Sequence, residues 1–444
     1  MASELLQNVR LIDAVAGSDR PCDLWLHDGQ VAAVSDAGSA AEPGELPDNT
    51  ERRDCTGLVL GPGLVDLYSQ SGEPGYESRE TLTSLCAAAT AGGFTRLTLL
   101  PTTQPAIDNP ASIDWVRSAL TSRNASHPFP SMPQVYLWAA FTQGATGQQL
   151  SELTELAATP IVGFADGRPL TNPLLLRRLL EYAQALNKPL ALWCCDPAIQ
   201  SSGVMRDGVD AIRVGLPGTP AIAETAPLAA LLETLADLSI AVPVHVMRVS
   251  TARGVEQIAQ AKAAGLPITA STSWMHLLLS TQSLSSYHPS LRLEPPLGTP
   301  ADRAALVHAI ETGVLDAIAI DHTPYTYEEK TVPFAEAPPG AIGLELALPL
   351  LWHGLVEPQH CSALALWRAL SSNPARCMGQ TLTVIRPETA RANAPQPPAE
   401  LTLFDPNSHW VPEPQHLQSL SHNTPWLHHP IQGRVLKTWQ PKTC

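Results

Sequence analysis

From Leu64 onward, short apolar runs alternate with segments of helical period, and this alternation constrains the fold more than any other feature of the 444-residue chain. Eight such runs begin at Leu64, Phe94, Gln134, Pro160, Pro189, Val242, Pro267 and Asp316. Strands covered on both faces read as continuous apolar runs of this length, which is the signature of a parallel sheet. The intervening segments carry helix signals. ETLTSLCAAATAGG ends on glycines, and NPLLLRRLLEYAQALN repeats apolar residues every three to four positions. Eight β/α units in roughly 300 residues predict an α/β chain closed into a (β/α)8 barrel. A doubly wound open sheet is the alternative that the same alternation permits.

The two ends read differently. LLQNVRLIDAV and CDLWLHDGQVAAVSD alternate as short strands do, and AGSAAEPGELPDNTERRD has the composition of a surface loop. Beyond RANAPQPPAE, the stretches LTLFDPNSHWV and GRVLKTW are again strand-like. A small composite β domain is expected from residues 1–60 plus 385–444, beside a barrel at 61–384.

Charge narrows the partners. Only 16% of residues are charged, and Lys+Arg 27 against Asp+Glu 42 gives a net charge of -15. Such a surface repels phosphate backbones and anionic lipid, which argues against nucleic-acid and membrane partners. No apolar run approaches the ~18 residues that span a bilayer, and the start of the chain lacks a signal-peptide pattern, so the expected location is cytoplasmic. The eight cysteines are scattered with no CxxC spacing, which predicts reduced thiols. In that setting the acceptor-like tripeptide Asn124-Ala125-Ser126 reads as chance. Fourteen histidines and 42 acidic residues supply raw material for a metal hydrolase, provided they stand where a metal needs them.

The stretch GPGLVDLYSQSGEPGYESRETLTSLCAAATAGGFTRLTLLPTTQPAIDN resembles the first strand and following segment of dihydroorotases, the amidohydrolase-superfamily enzymes of pyrimidine synthesis. The resemblance continues through VGFADGRP, GLPGTPAIAE, VSTARGVEQ, LEPPLGTPADR, AIDHTPYTYEEKTVPFAEAPPG and SNPARCMG, so it covers nearly the whole chain. It implies a barrel with a composite β domain, in agreement with the strand count. It also implies a pair of zinc ions at the C-terminal ends of barrel strands, holding a hydroxide that attacks the ring carbonyl of dihydroorotate.

Position by position, however, the expected ligands are replaced. The His-x-His of the first strand corresponds to Tyr68 and Gln70, the fifth-strand histidine to Trp193, and the sixth-strand histidine to Arg248. Only the carboxylates Asp166 and Asp321 remain at ligand positions. The substrate-binding positions have changed in parallel. The arginine that grips the substrate carboxylate is Gly72, the asparagine of the Pro-Asn-Thr turn is Thr102, the residues flanking Pro-Pro-Leu are Glu294 and Gly298, and a further histidine is Tyr325.

A guanidinium cannot ligate, and at ~4 Å from a divalent ion it would be repelled by roughly 8 kcal/mol at an effective dielectric of ~20. The expectation is therefore no metal, no cofactor and no catalytic residues, with Asp166 and Asp321 vestigial and paired with Arg248. Adjacent residues on a strand face opposite ways, so Cys194 and Cys195 are expected to be packed thiols rather than a rebuilt site. His245 and His322 are expected to have structural roles, and His422, His428 and His429 to lie in a surface loop. Trp193, Tyr68 and Tyr325 could instead line an aromatic pocket for a small molecule.

Functionally, the resemblance implies a non-catalytic dihydroorotase-like subunit that associates as an oligomer, with aspartate transcarbamoylase as the implied partner. The alternative is an active dihydroorotase or related cyclic-amide hydrolase with a remodelled or single-metal site, for which zinc would be the cofactor.

Overall fold

The structure, a computed structural model, describes residues 3–38, 46–126, 132–239, 241–382, 385 and 399–440, with side-chain surroundings not described for 123–126. Cys444, the tripeptide 124–126 as a side-chain feature, and most of RANAPQPPAE lie outside what is described.

All eight apolar runs form strands. They are β1 (Leu64–Ser69), β2 (Phe94–Leu99), β3 (Gln134–Ala139), β4 (Gly163–Ala165), β5 (Leu190–Trp193), β6 (Val244–Met247), β7 (Ile268–Ser273) and β8 (Ala317–Ala319). Neighbours in sequence are neighbours in the sheet, and every pairing is parallel. Closure is completed just beyond β8. The Asp321 N–H donates to the Tyr68 carbonyl at 3.1 Å, and the Gln70 N–H donates to the His322 carbonyl at 2.8 Å. The Asp66 carboxylate adds a third link by accepting the Ile320 N–H at 3.0 Å. These bonds join the last strand to the first, so the open-sheet alternative does not apply.

The helices begin where the sequence offers caps. Asn172 accepts the N–H groups of Leu174 and Leu175 ahead of Pro173–Ala183, and Thr251 accepts from Gly254 at the start of Ala252–Ala263. A capping residue satisfies donors that the first turn leaves unpaired and contributes about 1 kcal/mol. The helices bury leucine and alanine against the outer face of the barrel, in a core that includes Leu179, Leu180, Leu228, Leu231 and Ile258.

A seven-stranded sheet combines Ser3–Asp13, Ser18–His27, Gln30–Asp36, Glu51–Asp54 and Val59–Pro62 with Leu401–Trp410 and Ile431–Trp439 from the other end of the chain. Arg96 on β2 binds it to the barrel by a buried fork, with Nε to Glu400 Oε1 and Nη2 to Oε2, both at 2.8 Å. Between its last two strands the chain leaves this sheet and crosses to the barrel mouth. There Leu420 N–H donates to Glu80 at 2.9 Å, and the Asn423 amide donates to the Thr323 carbonyl at 2.9 Å.

The segment expected as a plain surface loop is thus partly packed structure. His428 and His429 are exposed, but Ser419, Ser421, Asn423 and Thr424 are buried. The seven described cysteines are buried and unbridged. Among the described residues, no helix is long and apolar enough to cross a membrane.

Candidate functional site

A cavity of about 490 Å³ opens at the C-terminal ends of the strands, where barrels of this kind carry their chemistry. Arg248 follows β6 and Asp321 follows β8, and both adopt the left-handed backbone region, with φ of 56° and 51°. Bonds Nε–Oδ2 and Nη2–Oδ1, both 2.7 Å, join them as a fork. Nη1 of Arg248 donates to the Gly167 carbonyl at 3.1 Å. The guanidinium carbon also lies 4.7 Å from the centre of the Trp193 ring and 5.8 Å from that of Tyr68. Burial opposes charge on Arg248, but the Asp321 carboxylate outweighs it and holds the guanidinium proton more tightly than usual.

Tyr68 is fully buried and does not border the cavity, which removes it from the aromatic pocket read from sequence. Its hydroxyl accepts the Arg248 N–H at 3.2 Å and lies 2.9 Å from Ser271 Oγ. Ser271 in turn meets His245 Nε2 at 2.8 Å, and His245 Nδ1 meets Thr269 at 2.9 Å. Burial pushes the His245 pKa down to about 3, so this imidazole is neutral and serves as a hydrogen-bonding post inside the barrel. The chain from Thr269 to Tyr68 ends on the backbone of Arg248 and supports its left-handed turn. The structural role expected for His245 holds.

The expected pairing of both aspartates with Arg248 is half right. Asp166 instead accepts the Thr142 N–H at 3.1 Å and a short bond from the Thr142 hydroxyl. Burial raises its pKa to about 7, against the opposing effect of the Thr142 bonds. Arg248 reaches only the carbonyl of the next residue, Gly167. Thr142 supplies two donors at once to the aspartate, so no cation is needed there.

Of the remaining positions, Gln70, Thr102, Trp193, Glu294 and Tyr325 border the cavity. Glu294 accepts from the Gln200 amide at 2.8 Å. Tyr325 is flanked by two cations, with Arg79 at 4.8 Å and Lys330 at 5.2 Å from its ring centre. Gly72 is packed so closely that a Cβ would lie 2.4 Å from the carbonyl oxygens of Tyr76 and Glu80. A Cβ on Gly298 would stand 2.7 Å from Asp302 and 2.9 Å from the Ser250 carbonyl. Neither backbone, as folded, can carry a side chain of any size.

His322 does point away from the cavity. Its Nε2 faces Glu80 at 3.3 Å, and its Nδ1 accepts the Gly343 N–H at 3.2 Å. Cys195 Sγ sits 3.0 Å from Gln200 Oε1, and burial pushes its pKa up to about 12, as expected of an inert packed thiol.

Several wall residues carried no sequence signal. Arg79 forms a fork to Glu329, with Nε 2.9 and 3.0 Å from the two oxygens. Gln200, Ser273 and His276 also border the cavity. They come from insertions and strand ends that no local pattern connects.

The donor set does not fit a zinc pair. The four positions that the resemblance assigns to histidine ligands hold a phenol, an amide, an indole and a guanidinium already bonded to Asp321. Among the described residues, no group of three or more His, Cys, Asp and Glu is placed to hold a metal ion.

Solved structures place this barrel and its companion sheet in a known class. An L-hydantoinase from Arthrobacter aurescens superposes with a TM-score of 0.78 over 100% of this chain and 98% of its own, at 18% identity. A D-hydantoinase gives 0.74 over 98% and 94%, at 16% identity. The fold is the one these hydantoinases share.

Residues 57–251 match the family model described as dihydro-orotase-like. A probable dihydroorotase-like protein of Synechocystis sp. is 42% identical over 99% of this chain and 100% of its own. A dihydroorotase of Syntrophus aciditrophicus is 33% identical over 98% and 97%. The chain belongs to the dihydroorotase-like family.

Proposed function

We propose that this protein is a dihydroorotase-like member of the pyrimidine pathway that does not hydrolyse dihydroorotate and acts in the cytoplasm as a structural or regulatory subunit. The observation that carries this reading is the Arg248–Asp321 fork. Asp321, the residue the family uses as ligand and proton shuttle, here has both carboxylate oxygens engaged by a guanidinium. A guanidinium is always charged and cannot ligate, so its contact with both oxygens repels a divalent ion brought to the same carboxylate. Gly72 and Gly298 reinforce the reading, because the close packing at both leaves no room for the side chains that would hold an anionic substrate.

The proposed partner is aspartate transcarbamoylase, which the family resemblance implies. Metal analysis of the purified protein, with a dihydroorotate hydrolysis assay in added zinc, tests the first part of the reading. Sub-stoichiometric metal and no turnover are expected, whereas stoichiometric metal with turnover overturns it. Co-elution with the transcarbamoylase from native extract tests the second, and its absence would remove the partner assignment.

A further inference from the structure

The mouth cavity is electrically balanced and still has hydrogen-bonding capacity to spare. Its charged lining consists of Arg79, Arg168, Arg248, Glu294 and Asp321. Two of these cations are spent, Arg248 on Asp321 and Arg79 on Glu329. What remains is one exposed cation, Arg168, and one carboxylate, Glu294, which offset each other. A ligand carboxylate would find no buried, uncompensated cation to receive it.

Neutral groups, by contrast, stand idle. Trp193 is 7% exposed and its indole N–H makes no hydrogen bond among the described residues. Thr102 Oγ1 and His276 Nδ1 are buried without partners among the described residues, and His276 itself is 3% exposed. With Nε2 turned to the Pro296 carbonyl at 3.3 Å, and with burial pushing its pKa down to about 4, His276 offers Nδ1 as an acceptor. The Gln70 amide likewise makes no side-chain hydrogen bond among the described residues while lining the cavity. Arg248 has five N–H bonds and uses three, which leaves one on Nη1 and one on Nη2. Leaving Thr102 Oγ1 and His276 Nδ1 buried without partners among the described residues is costly, and a recess bordered by both residues suits a molecule that pairs them.

We propose that the barrel mouth binds an uncharged, planar ring bearing both carbonyl and N–H groups, seated against the N–H edge of Trp193. Carbonyl oxygens of such a ring meet the spare N–H bonds of Arg248 and the Trp193 indole. Its ring N–H meets His276 Nδ1 or the Gln70 carbonyl oxygen. The cavity of about 490 Å³ suits a molecule of that size, since small-molecule sites span roughly 300–1,000 Å³. The ligand class is uncharged, unlike the anionic substrate of the family's enzymes. The inference rests on the non-hydrolytic reading above, because an active enzyme would consume a cyclic amide rather than hold it.

The test is isothermal calorimetry on the full-length protein, titrated separately with uracil, hydantoin, dihydroorotate and orotate, with each mixture analysed for ring-opened product. At least one of the two neutral rings is expected to bind in preference to both anions. Trp193→Phe keeps an aromatic ring but loses the N–H, and Gln70→Ala removes the amide; each should weaken binding by about tenfold in protein that still unfolds cooperatively above the titration temperature. Failure of both neutral rings to bind at millimolar concentration overturns the proposal. So does equal or tighter binding of either anion, or binding that neither variant affects. Ring-opened product would instead overturn the non-hydrolytic reading, so the two failures are distinguishable.

Discussion

Arg248 and Asp321 form a buried fork in which two 2.7 Å hydrogen bonds join the residues that follow β6 and β8. Both side chains are largely shielded, 5% and 13% exposed. Removing one partner of such a pair strands the other charge, at a cost of about 3–5 kcal/mol, whereas replacing both with apolar groups of similar volume is often near neutral. Arg248→Ala is therefore expected to lower stability by that amount. The double replacement Arg248→Met with Asp321→Leu should recover most of the loss. Urea denaturation midpoints at constant m-value check both.

The buried acids set the pH dependence. Burial raises the pKa of Asp66 to about 7 and that of Asp166 to about 7, far above the unfolded value of about 3.9. Their contribution to stability is full below the unfolded pKa and is lost as pH rises through the folded one. His245 and His276, pushed down to about 3 and about 4, work in the other direction but stop contributing above about 6.5, where they are neutral in both states. Between pH 6.5 and 8 the titrating groups are Asp66, Asp166 and Glu345, all raised by burial to about 7, and Lys330, lowered by burial to about 7. Each of the three acids should lower stability by about 1 kcal/mol across that range, and Lys330 opposes them by a similar amount, which leaves a net fall. Asp166→Asn keeps an acceptor for the Thr142 N–H and offers a donor to its hydroxyl. It should flatten part of that fall, as read from denaturation midpoints at the two pH values.

The barrel is legible in sequence because parallel strands covered on both faces leave continuous apolar runs, and all eight became strands. Residue identity at Arg248 and Asp321 was enough to foresee their pairing, since a buried carboxylate requires a partner. The pairing expected for Asp166 fails for a geometric reason. Membership in one ancestral constellation suggested a shared partner, but Thr142, just past β3, presents its N–H and hydroxyl together. Arg79, Gln200 and His276 were invisible because their places in the wall depend on how separate insertions fold over the mouth, and no local period records that. The close packing at Gly72 was equally hidden, since sequence shows a missing side chain but not what fills its space.

Glu80 anchors the C-terminal crossing segment over the mouth. Although burial works against its charge, bonds from His322 and Ser419 hold its carboxyl below the usual range, and the Leu420 N–H adds a further bond at 2.9 Å. Glu80→Ala leaves these donors unpaired in a site that excludes water. A stability loss of about 2–4 kcal/mol is expected. Hydrogen exchange should show the Leu420 amide losing protection well before the amides of the barrel strands, because the segment opens locally once its anchor is gone.

Gly72 tests whether the anion clamp can be restored by one substitution. Its ideal Cβ would lie 2.4 Å from the carbonyl oxygens of Tyr76 and Glu80 and 2.6 Å from the Glu80 nitrogen. All three are backbone atoms, which cannot swing aside as a flexible side chain could. Gly72→Ala should then cost about 1–3 kcal/mol through overpacking, and Gly72→Arg at least as much. The arginine should confer no affinity for dihydroorotate, since the loop must be displaced before the guanidinium can reach the cavity. Thermal melts report the cost, and calorimetric titration with dihydroorotate reports the absence of gain. If Gly72→Arg folds with unchanged stability and binds the anion, then the loop yields to a side chain and the closed packing around Gly72 does not block the clamp.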